Sequence, residues 1–273
     1  MRLTRIEEGR GRRGPEDVVT FAGELNRHWT IGPKVHGGAM LALCANAART
    51  ACDVGQSGAL QPVAVSANFL WAPEPGPMRL VTQARKRGRR ISVVDVELTQ
   101  GDRTAVHAVV TLGEPEHNAP PLLSANPVPA LMPPEPPDGI APIGPGHPFV
   151  GLVNMAAGCD VRPLVSTLQP SADGSPPLIQ LWVRPRDAAP DALFALLCGD
   201  ISAPVSFAVE RTGWAPTVQL TAYLRGLPAD GWLRVLCSCV QIGQDWFDED
   251  HTVVDCEGRI VVQSRQLAMV PPR

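Results

Sequence analysis

Lysine is almost absent from this chain, which has only Lys34 and Lys86 among its 273 residues. Its positive charge therefore comes mainly from arginine, and 24 basic against 27 acidic residues give a formal net charge of −3. A charge so close to zero creates no general field that would attract nucleic acid or an anionic membrane surface. We expect neither as a partner, so an anionic ligand would have to be bound by local contacts.

Long hydrophobic runs and regularly spaced cysteines are also missing. Charges or prolines interrupt every apolar stretch before it reaches the length of a membrane span. The N-terminal segment has basic residues but lacks the apolar core of a secretory signal peptide. The seven cysteines follow no regular pattern, and the pair Cys237 and Cys239 has no second pair at zinc-binding spacing. These absences predict a protein of the reducing cytoplasm, without disulfides, bound metal or membrane span.

Three common catalytic motifs are missing as well. The sequence contains no P-loop, no G-x-S-x-G elbow and no glycine-rich dinucleotide fingerprint after a strand. These absences argue against the usual nucleotide-binding and serine-hydrolase classes, and no cofactor is predicted. The basic run 85–90 could contact a phosphate, but it falls at an expected hairpin tip, where a solvated turn is the ordinary explanation.

Proline, in contrast, is abundant and unevenly distributed. Residues 115–148 hold 12 of the 29 prolines. Proline lacks a backbone donor and resists both helix interiors and central strands. This composition predicts a semi-rigid linker laid along the outside of two docked units, one at residues 1–114 and one at residues 149–273.

The two flanking segments share one order of elements, an apolar helix followed by several strands. In the first, Met40, Leu43 and Ala47 recur at helical spacing after a glycine pair, which predicts a buried helix over 35–51. In the second, the alanine- and leucine-rich stretch 191–200 predicts another helix. Short β-rich runs separated by glycine turns follow each helix, as in an antiparallel meander.

The turn glycines recur at nearly the same interval in both segments. Gly76 and Gly101 are 25 residues apart, and Gly231 and Gly258 are 27 residues apart. This repetition predicts two copies of an α+β unit, each with a curved antiparallel sheet wrapped around a central helix. A single long α+β domain is the alternative, and the proline-rich segment between the copies argues against it.

Four phrases of the sequence, in their order and spacing, resemble a known family. They are HWTIGPKVHGGAMLALCANAA, ANFLWAPEPG, PTVQLTAYLRGLPADGWLRV and CEGRIVVQSRQLAMV. They resemble the acyl-CoA thioesterase II-like group of the thioesterase superfamily. The resemblance reaches both halves of the chain. It implies a double hotdog fold and hydrolysis of a fatty acyl-CoA by water, without metal or covalent intermediate.

Asp200 is the first polar residue to stand out from its surroundings. If the second helix continues to it, Asp200 lies on the apolar stripe with Leu193, Leu196 and Leu197. A buried carboxylate is costly unless it is paired, and desolvation raises its pKa, as suits a general base. The alternative is a residue that turns to solvent at the helix end. The resemblance implies that Asp200 is the catalytic aspartate.

Gln266 is the second such residue. Strand alternation places it on the apolar face of the last predicted strand, where its amide needs a polar partner. The corresponding position of the first copy is Val109, so one copy would carry a site where the other has core. The alternative is an amide that caps the strand end or binds a buried water. The resemblance implies a catalytic role for Gln266.

Thr217 and Thr221 fall on one face of their strand by simple alternation. Threonine is a common strand residue, so the pattern alone favours a structural role for both. The resemblance implies that Thr217 joins Asp200 and Gln266 in the site, and Thr221 is the reserve candidate.

Gly37 and Gly38 open the first predicted helix. Free backbone N–H groups at that position could stabilise a thioester oxyanion, although close helix packing would also explain the pair. His36 precedes them, and we interpret it as a packed or hydrogen-bonded histidine, with a role in the site held in reserve.

These observations combine into one hypothesis with two alternatives. We expect two hotdog units packed sheet to sheet, which hydrolyse an acyl-CoA in a cleft between them. One alternative is a non-catalytic protein that binds acyl-CoA or lipid. The other is an enoyl-CoA hydratase, which ranks last because no paired Asp and His stand at a helix start. Since hotdog sheets often associate further, a homodimer is also expected.

Overall fold

The computed structural model describes residues 1–10, 17–53, 60–116 and 119–272. Three α-helices and several short 3₁₀ turns occur among these residues, and the helices are α1 (Gly37–Cys52), α2 (Val128–Leu131) and α3 (Ala192–Cys198). In the ranges just given, no helix combines the length and the apolar character needed to cross a membrane.

Fourteen strands fall within the described ranges. In the first part of the chain they are β1 (Leu3–Arg10), β2 (Asp17–Leu25), β3 (Thr30–Ile31), β4 (Lys34–Val35), β5 (Gln61–Phe69), β6 (Gly76–Lys86), β7 (Ser92–Gln100) and β8 (Arg103–Gly113). In the second part they are β9 (Cys159–Pro163), β10 (Leu178–Pro185), β11 (Thr217–Leu224), β12 (Leu233–Ser238), β13 (Trp246–Val254) and β14 (Ile260–Met269).

Twelve of these strands form one continuous antiparallel sheet. Its order is β1-β2-β6-β7-β8-β5-β11-β14-β13-β12-β10-β9, and β3 and β4 pair separately. The two halves join where β5 pairs with β11, with Ala67 opposite Leu220. The expectation of two units packed sheet to sheet is therefore wrong, because the halves meet edge to edge through backbone hydrogen bonds.

Helices α1 and α3 pack against this sheet and contact each other. Helix α1 is buried along almost its whole length because its residues are mostly alanine, leucine and other small apolar types. Helix α3 is shorter than the predicted stretch 191–200. It begins after Asp191, whose side chain accepts the N–H of Phe194, and ends at Cys198.

The predicted repeat is visible in the turns. Gly76 and Gly231 have φ angles of +150° and +147°, and Gly101 and Gly258 have φ angles of +59° and +86°. All four lie in the region that favours glycine over other residues. The matching conformations explain why the glycine spacing recurs in both halves.

Two details of the sequence interpretation need correction, and a third agrees with the structure. Val109 is 38% exposed on the outer face of β8, between the fully buried Ala108 and Val110, so it is not a core counterpart of Gln266. Strands β9 and β10 were not predicted, since proline and polar residues surround them. Residues 85–90 lie at the connection of β6 and β7, as the turn prediction required.

The proline-rich segment packs against the second half of the chain where it is described. Val128 and Met132 are buried beside Trp182 and Trp232. The indole of Trp182 donates to the carbonyl of Pro133 at 2.9 Å. These contacts hold the segment along the outside of the sheet.

Candidate active site

A cavity of about 580 Å³ lies where the N-terminal end of α1, the turn after α3 and the second half of the sheet meet. Its walls are mainly apolar and come from both halves of the chain, among them Met40, Phe69, Ile143, Leu181, Phe207 and Phe247. Among the residues that the structure describes, its polar lining includes the side chains of His36, Asp200, Ser202, Thr217, Glu249 and Gln266. An apolar cavity with a few convergent polar groups has the usual character of a small-molecule site.

Asp200 lies in the turn two residues after α3, not on the helix itself, and it is only 8% exposed. Its Oδ2 atom accepts the backbone N–H of Gly38 at 2.6 Å. This places a carboxylate from the second half of the chain against the N-terminus of a helix from the first half. Burial raises the pKa of Asp200 above its usual value, while His36 and the Gly38 N–H oppose that shift.

His36 is the N-cap of α1 and joins the same group. Its Nδ1 atom accepts the N–H of Ala39 at 3.3 Å, which assigns the ring proton to Nε2. Nε2 then donates to the backbone carbonyl of Asp200 at 2.8 Å and lies 3.8 Å from Oδ2 of the same residue. The hydrogen-bonded histidine expected from the sequence therefore fixes the Asp200 turn in place.

The glycine pair is explained by the close approach of that turn. A Cβ atom on Gly37 would lie 2.6 Å from Oδ2 of Asp200, and one on Gly38 would lie 2.5 Å from the carbonyl oxygen of Leu197. Since the Gly38 N–H is already bonded to Asp200, the expected oxyanion role of both glycines needs correction. In the described part of the chain only the Gly37 N–H of this pair has no hydrogen-bond partner, and Gly37 lines the cavity.

Thr217 and Gln266 are brought together by a strand irregularity. The pairing of β11 with β14 shifts by one residue between Thr217 and Gln219, which is a β-bulge. The bulge turns Thr217 to the inner face, where its hydroxyl donates to Oε1 of Gln266 at 2.8 Å. Gln266 itself is buried and faces the cavity, as predicted.

Thr221 lies on the opposite face of β11. Its Oγ1 atom lies 3.0 Å from Oγ of Ser66 and 2.8 Å from Nε2 of Gln219. The prediction that Thr217 and Thr221 share a face is wrong, because simple alternation does not account for the bulge. Thr221 is therefore removed as the reserve candidate.

Glu249 is a cavity residue that sequence reasoning missed. It is 2% exposed on β13, directly opposite Gln266 on β14. Its Oε1 atom accepts the N–H of Val205 at 2.6 Å, and its Oε2 atom accepts Nε2 of Gln266. Burial raises the pKa of Glu249 to about 8. The alternation of Phe247, Glu249 and His251 with polar residues in β13 was the available signal.

Cys237 and His251 lie beside Glu249, and ligand atoms of these three residues fall within 4.8 Å of one another. The three types could in principle bind a metal, but both Glu249 oxygens are already used by Val205 and Gln266. Ser202 lies 2.9 Å from Nε2 of His251. Burial lowers the pKa of His251 to about 3 and raises that of the Cys237 thiol, so a thiolate ligand is disfavoured. We assign no metal to this cluster.

Comparison with known families finds one match in each half of the chain. Residues 25–113 match the acyl-CoA thioesterase N-terminal domain, and residues 129–270 match the acyl-CoA thioesterase C-terminal domain. The chain belongs to the acyl-CoA thioesterase family. An uncharacterized protein of Mycobacterium tuberculosis is 75% identical to this family member over 264 residues, which is 92% of this chain and 91% of the relative.

Solved structures show the fold of this acyl-CoA thioesterase family member. A candidate thioesterase II of Thermobifida fusca matches with a TM-score of 0.75 and 27% identity, over 97% of this chain and 96% of its own. A hot dog fold protein of Alicyclobacillus acidocaldarius matches with a TM-score of 0.72 and 18% identity, over 99% and 96%. The predicted double hotdog is confirmed, with its two units sharing one sheet.

Proposed function

We propose that this chain hydrolyses fatty acyl-CoA thioesters to the free acid and CoA, with a water molecule activated by Asp200. The observation that carries the proposal is the convergence of Asp200, Thr217 and Gln266 on one apolar cavity. Family membership supports a thioesterase reaction in general. The apolar walls supply a surface for an acyl chain, and the polar side chains supply a place for water.

Asp200 is the general base in this proposal. Its Oδ2 atom is fixed by the Gly38 N–H, and in the described residues its other oxygen accepts no protein hydrogen bond. That second oxygen is available to a water molecule in the cavity. A buried carboxylate with a raised pKa is a stronger base than a solvated one, which favours proton abstraction from water.

Thr217 and Gln266 orient the water. The Thr217 hydroxyl proton is used by Gln266, so the lone pairs of Thr217 Oγ1 are left to accept a hydrogen from water. Asp200 and Thr217 would then take the two water hydrogens, which turns a water lone pair to the thioester carbon. Holding the water in this position reduces the entropy cost that the reaction would have with a freely diffusing water molecule.

The Gly37 N–H stabilises the oxyanion that forms when water attacks. It stands at the N-terminus of α1, where the helix dipole adds a partial positive charge, and it lines the cavity. The departing group is a thiolate, whose conjugate acid has a pKa of about 8.5 for an ordinary thiol. Such a group leaves without a dedicated acid, so this set of residues is sufficient.

A non-catalytic acyl-CoA or lipid carrier is the second candidate. The volume and apolar lining of the cavity favour it as much as they favour an enzyme, because both require an acyl site. The polar residues distinguish the two, since a carrier has no use for a base aimed into the cavity.

The proposal includes a division of the chain into two units, at residues 1–114 and 149–273, joined by a linker at residues 115–148.

Thiol release from acyl-CoAs of increasing length, acetyl to palmitoyl, tests the proposal. We expect release that depends on chain length and falls by about 10²–10⁴-fold in Asp200→Asn, the usual worth of a general base. Asp102→Asn, at an exposed turn, is the matched control and should keep full activity. Saturable binding without release in the wild-type chain would select the carrier instead.

A further inference from the structure

Gln266 has two nearly identical ends, and only one orientation suits the proposed reaction. An amide presents an oxygen at one end and an NH₂ group at the other, with almost the same shape. If the oxygen faces Thr217, the threonine donates to it and can still accept a hydrogen from water. If the NH₂ group faces Thr217, the threonine must accept from Gln266, and its hydroxyl proton then competes for the attacking lone pair of water.

We propose that Glu249 is the positioning residue that decides which end of the Gln266 amide faces Thr217. This inference rests on the proposed function, since the orientation matters through the water that Thr217 holds. Glu249 does not need to touch the substrate for this role. It acts through Gln266, which stands directly opposite it across the β13–β14 pair.

A backbone N–H group fixes the role of one oxygen of Glu249. The Val205 N–H donates to Oε1 of Glu249 at 2.6 Å, so that oxygen is committed to an acceptor role. The remaining oxygen, Oε2, faces Gln266 and accepts from its Nε2 atom. A carboxylate has no proton to donate, so it can be satisfied only by the NH₂ end of Gln266. The amide oxygen is thereby directed to Thr217.

Protonation of Glu249 removes this constraint. The neutral acid can still accept the Val205 N–H with one oxygen and donate its proton from the other. The acceptor for that proton is the amide oxygen of a Gln266 side chain whose two ends have exchanged places. Burial, which raises the pKa of Glu249 to about 8, brings this change into an accessible range. The titratable groups around Glu249 are Asp200 after α3, Cys237 on β12, Cys239 just after that strand, Asp248 and His251 on β13, and His36 beside Asp200.

Glu249→Gln imposes the turned state without changing the size of the side chain. The Val205 N–H still requires an oxygen, so the new amide must turn its NH₂ group to Gln266. Gln266 must then present its oxygen to position 249 and its NH₂ group to Thr217. At pH 9, where most of the wild-type Glu249 is ionised, we expect Glu249→Gln to lower kcat about 10–100-fold, as when an outer hydrogen-bond partner of a catalytic group is lost, with KM unchanged.

The double variant Glu249→Gln with Gln266→Glu exchanges the two groups and restores the useful geometry. The carboxylate at 266 accepts from both the amide at 249 and the Thr217 hydroxyl, so the threonine again has free lone pairs. We expect the kcat of the double variant to be at least tenfold higher than that of Glu249→Gln. A merely structural role for Glu249 predicts no such recovery. Thermal unfolding of both variants establishes that they are folded.

A measurement independent of turnover completes the test. In the ¹⁵N-glutamine-labelled protein, the Gln266 side-chain amide signals should move with a single pH transition near 8, and Glu249→Gln should abolish that transition. A transition in a protein that releases no thiol would overturn the proposed function and leave the positioning role standing. An unchanged kcat in Glu249→Gln, or Gln266 signals that do not respond to pH, would overturn the positioning role.

Discussion

The carboxylate of Asp200 lies 2.6 Å from the backbone nitrogen of Gly38, a residue 162 positions earlier in the chain. Asp200 follows α3 and Gly38 lies in the first turn of α1, so this hydrogen bond, together with that from His36 to the Asp200 carbonyl, joins the two halves of the chain at the candidate active site. It also fixes which oxygen of Asp200 is free to meet water. Changes that disturb the bond should therefore affect both stability and turnover.

Gly38→Ala tests the close approach of the two units. The added Cβ would lie 2.5 Å from the Leu197 carbonyl oxygen and 3.0 Å from Cβ of Asp200, so the backbone has to move. We expect a loss of ~1–3 kcal/mol in the free energy of unfolding, as for other overpacked sites, together with reduced thiol release. Gly158→Ala, where a Cβ meets nothing within 4 Å, should leave both urea unfolding and activity unchanged.

Thr217→Val and Thr221→Val test the proposed catalytic role of Thr217 against a threonine on the opposite face of the same strand. Valine at 217 leaves Oε1 of Gln266 without its donor and removes the acceptor proposed for water. A hydrogen bond of this kind is worth ~1 kcal/mol, so we expect kcat to fall at least about fivefold. Thr221→Val breaks only contacts on the outer face and should keep wild-type kcat. Equal losses in both variants would contradict the assignment.

Glu249 makes folding stability depend on pH. Its pKa is raised from 4.5 to about 8, so between these values the folded chain holds a proton that the unfolded chain releases. Stability therefore falls as pH rises through this window and is constant above it. Glu249→Gln removes the titration, and relative to wild type it should be more stabilising at pH 9 than at pH 5 by on the order of 4 kcal/mol.

Urea unfolding at the two pH values measures this difference. Glu135→Gln, at an exposed position in the proline-rich segment, is the control and should give the same small effect at both. A Glu249→Gln effect that does not change between pH 5 and pH 9 would mean that Glu249 titrates normally in the fold.

Arg234 connects the proline-rich segment to the second unit. The side chain is 2% exposed, and its two terminal nitrogens donate to the carbonyls of Met132 at 2.9 Å and Asp255 at 2.7 Å. Arg234→Met leaves both carbonyls without these donors, so we expect a loss of about 2–4 kcal/mol and faster proteolysis near residue 132. Arg225→Met removes an exposed arginine and should change neither measurement.

Much of the fold could be predicted because it depends on local patterns. The stripe of Met40, Leu43 and Ala47 and the recurring turn glycines follow directly from helical and strand geometry. The edge-to-edge pairing of β5 with β11 could not be predicted, because alternation specifies which face is buried but not which edge is joined. Strands β9 and β10 were missed for a different reason, because the proline and polar residues around them hide the strand pattern.

The site was predicted in part for a similar reason. Asp200 and Gln266 stand out as polar residues in apolar patterns, and both are buried in the cavity. The inward turn of Thr217 depends on a bulge that no local residue type announces, so alternation grouped it with Thr221. Glu249 was missed because acidic neighbours on both sides make its strand read as solvated, although its own side chain faces inward.

The pairing of β5 with β11 determines how the cavity depends on protein concentration. Both strands belong to one chain, so the edge that completes the cavity is present at a high effective concentration however dilute the protein is. A cavity formed between separate chains would instead be lost at concentrations below their dissociation constant. The described residues of the candidate site therefore all come from one chain, and we expect specific activity to be independent of dilution.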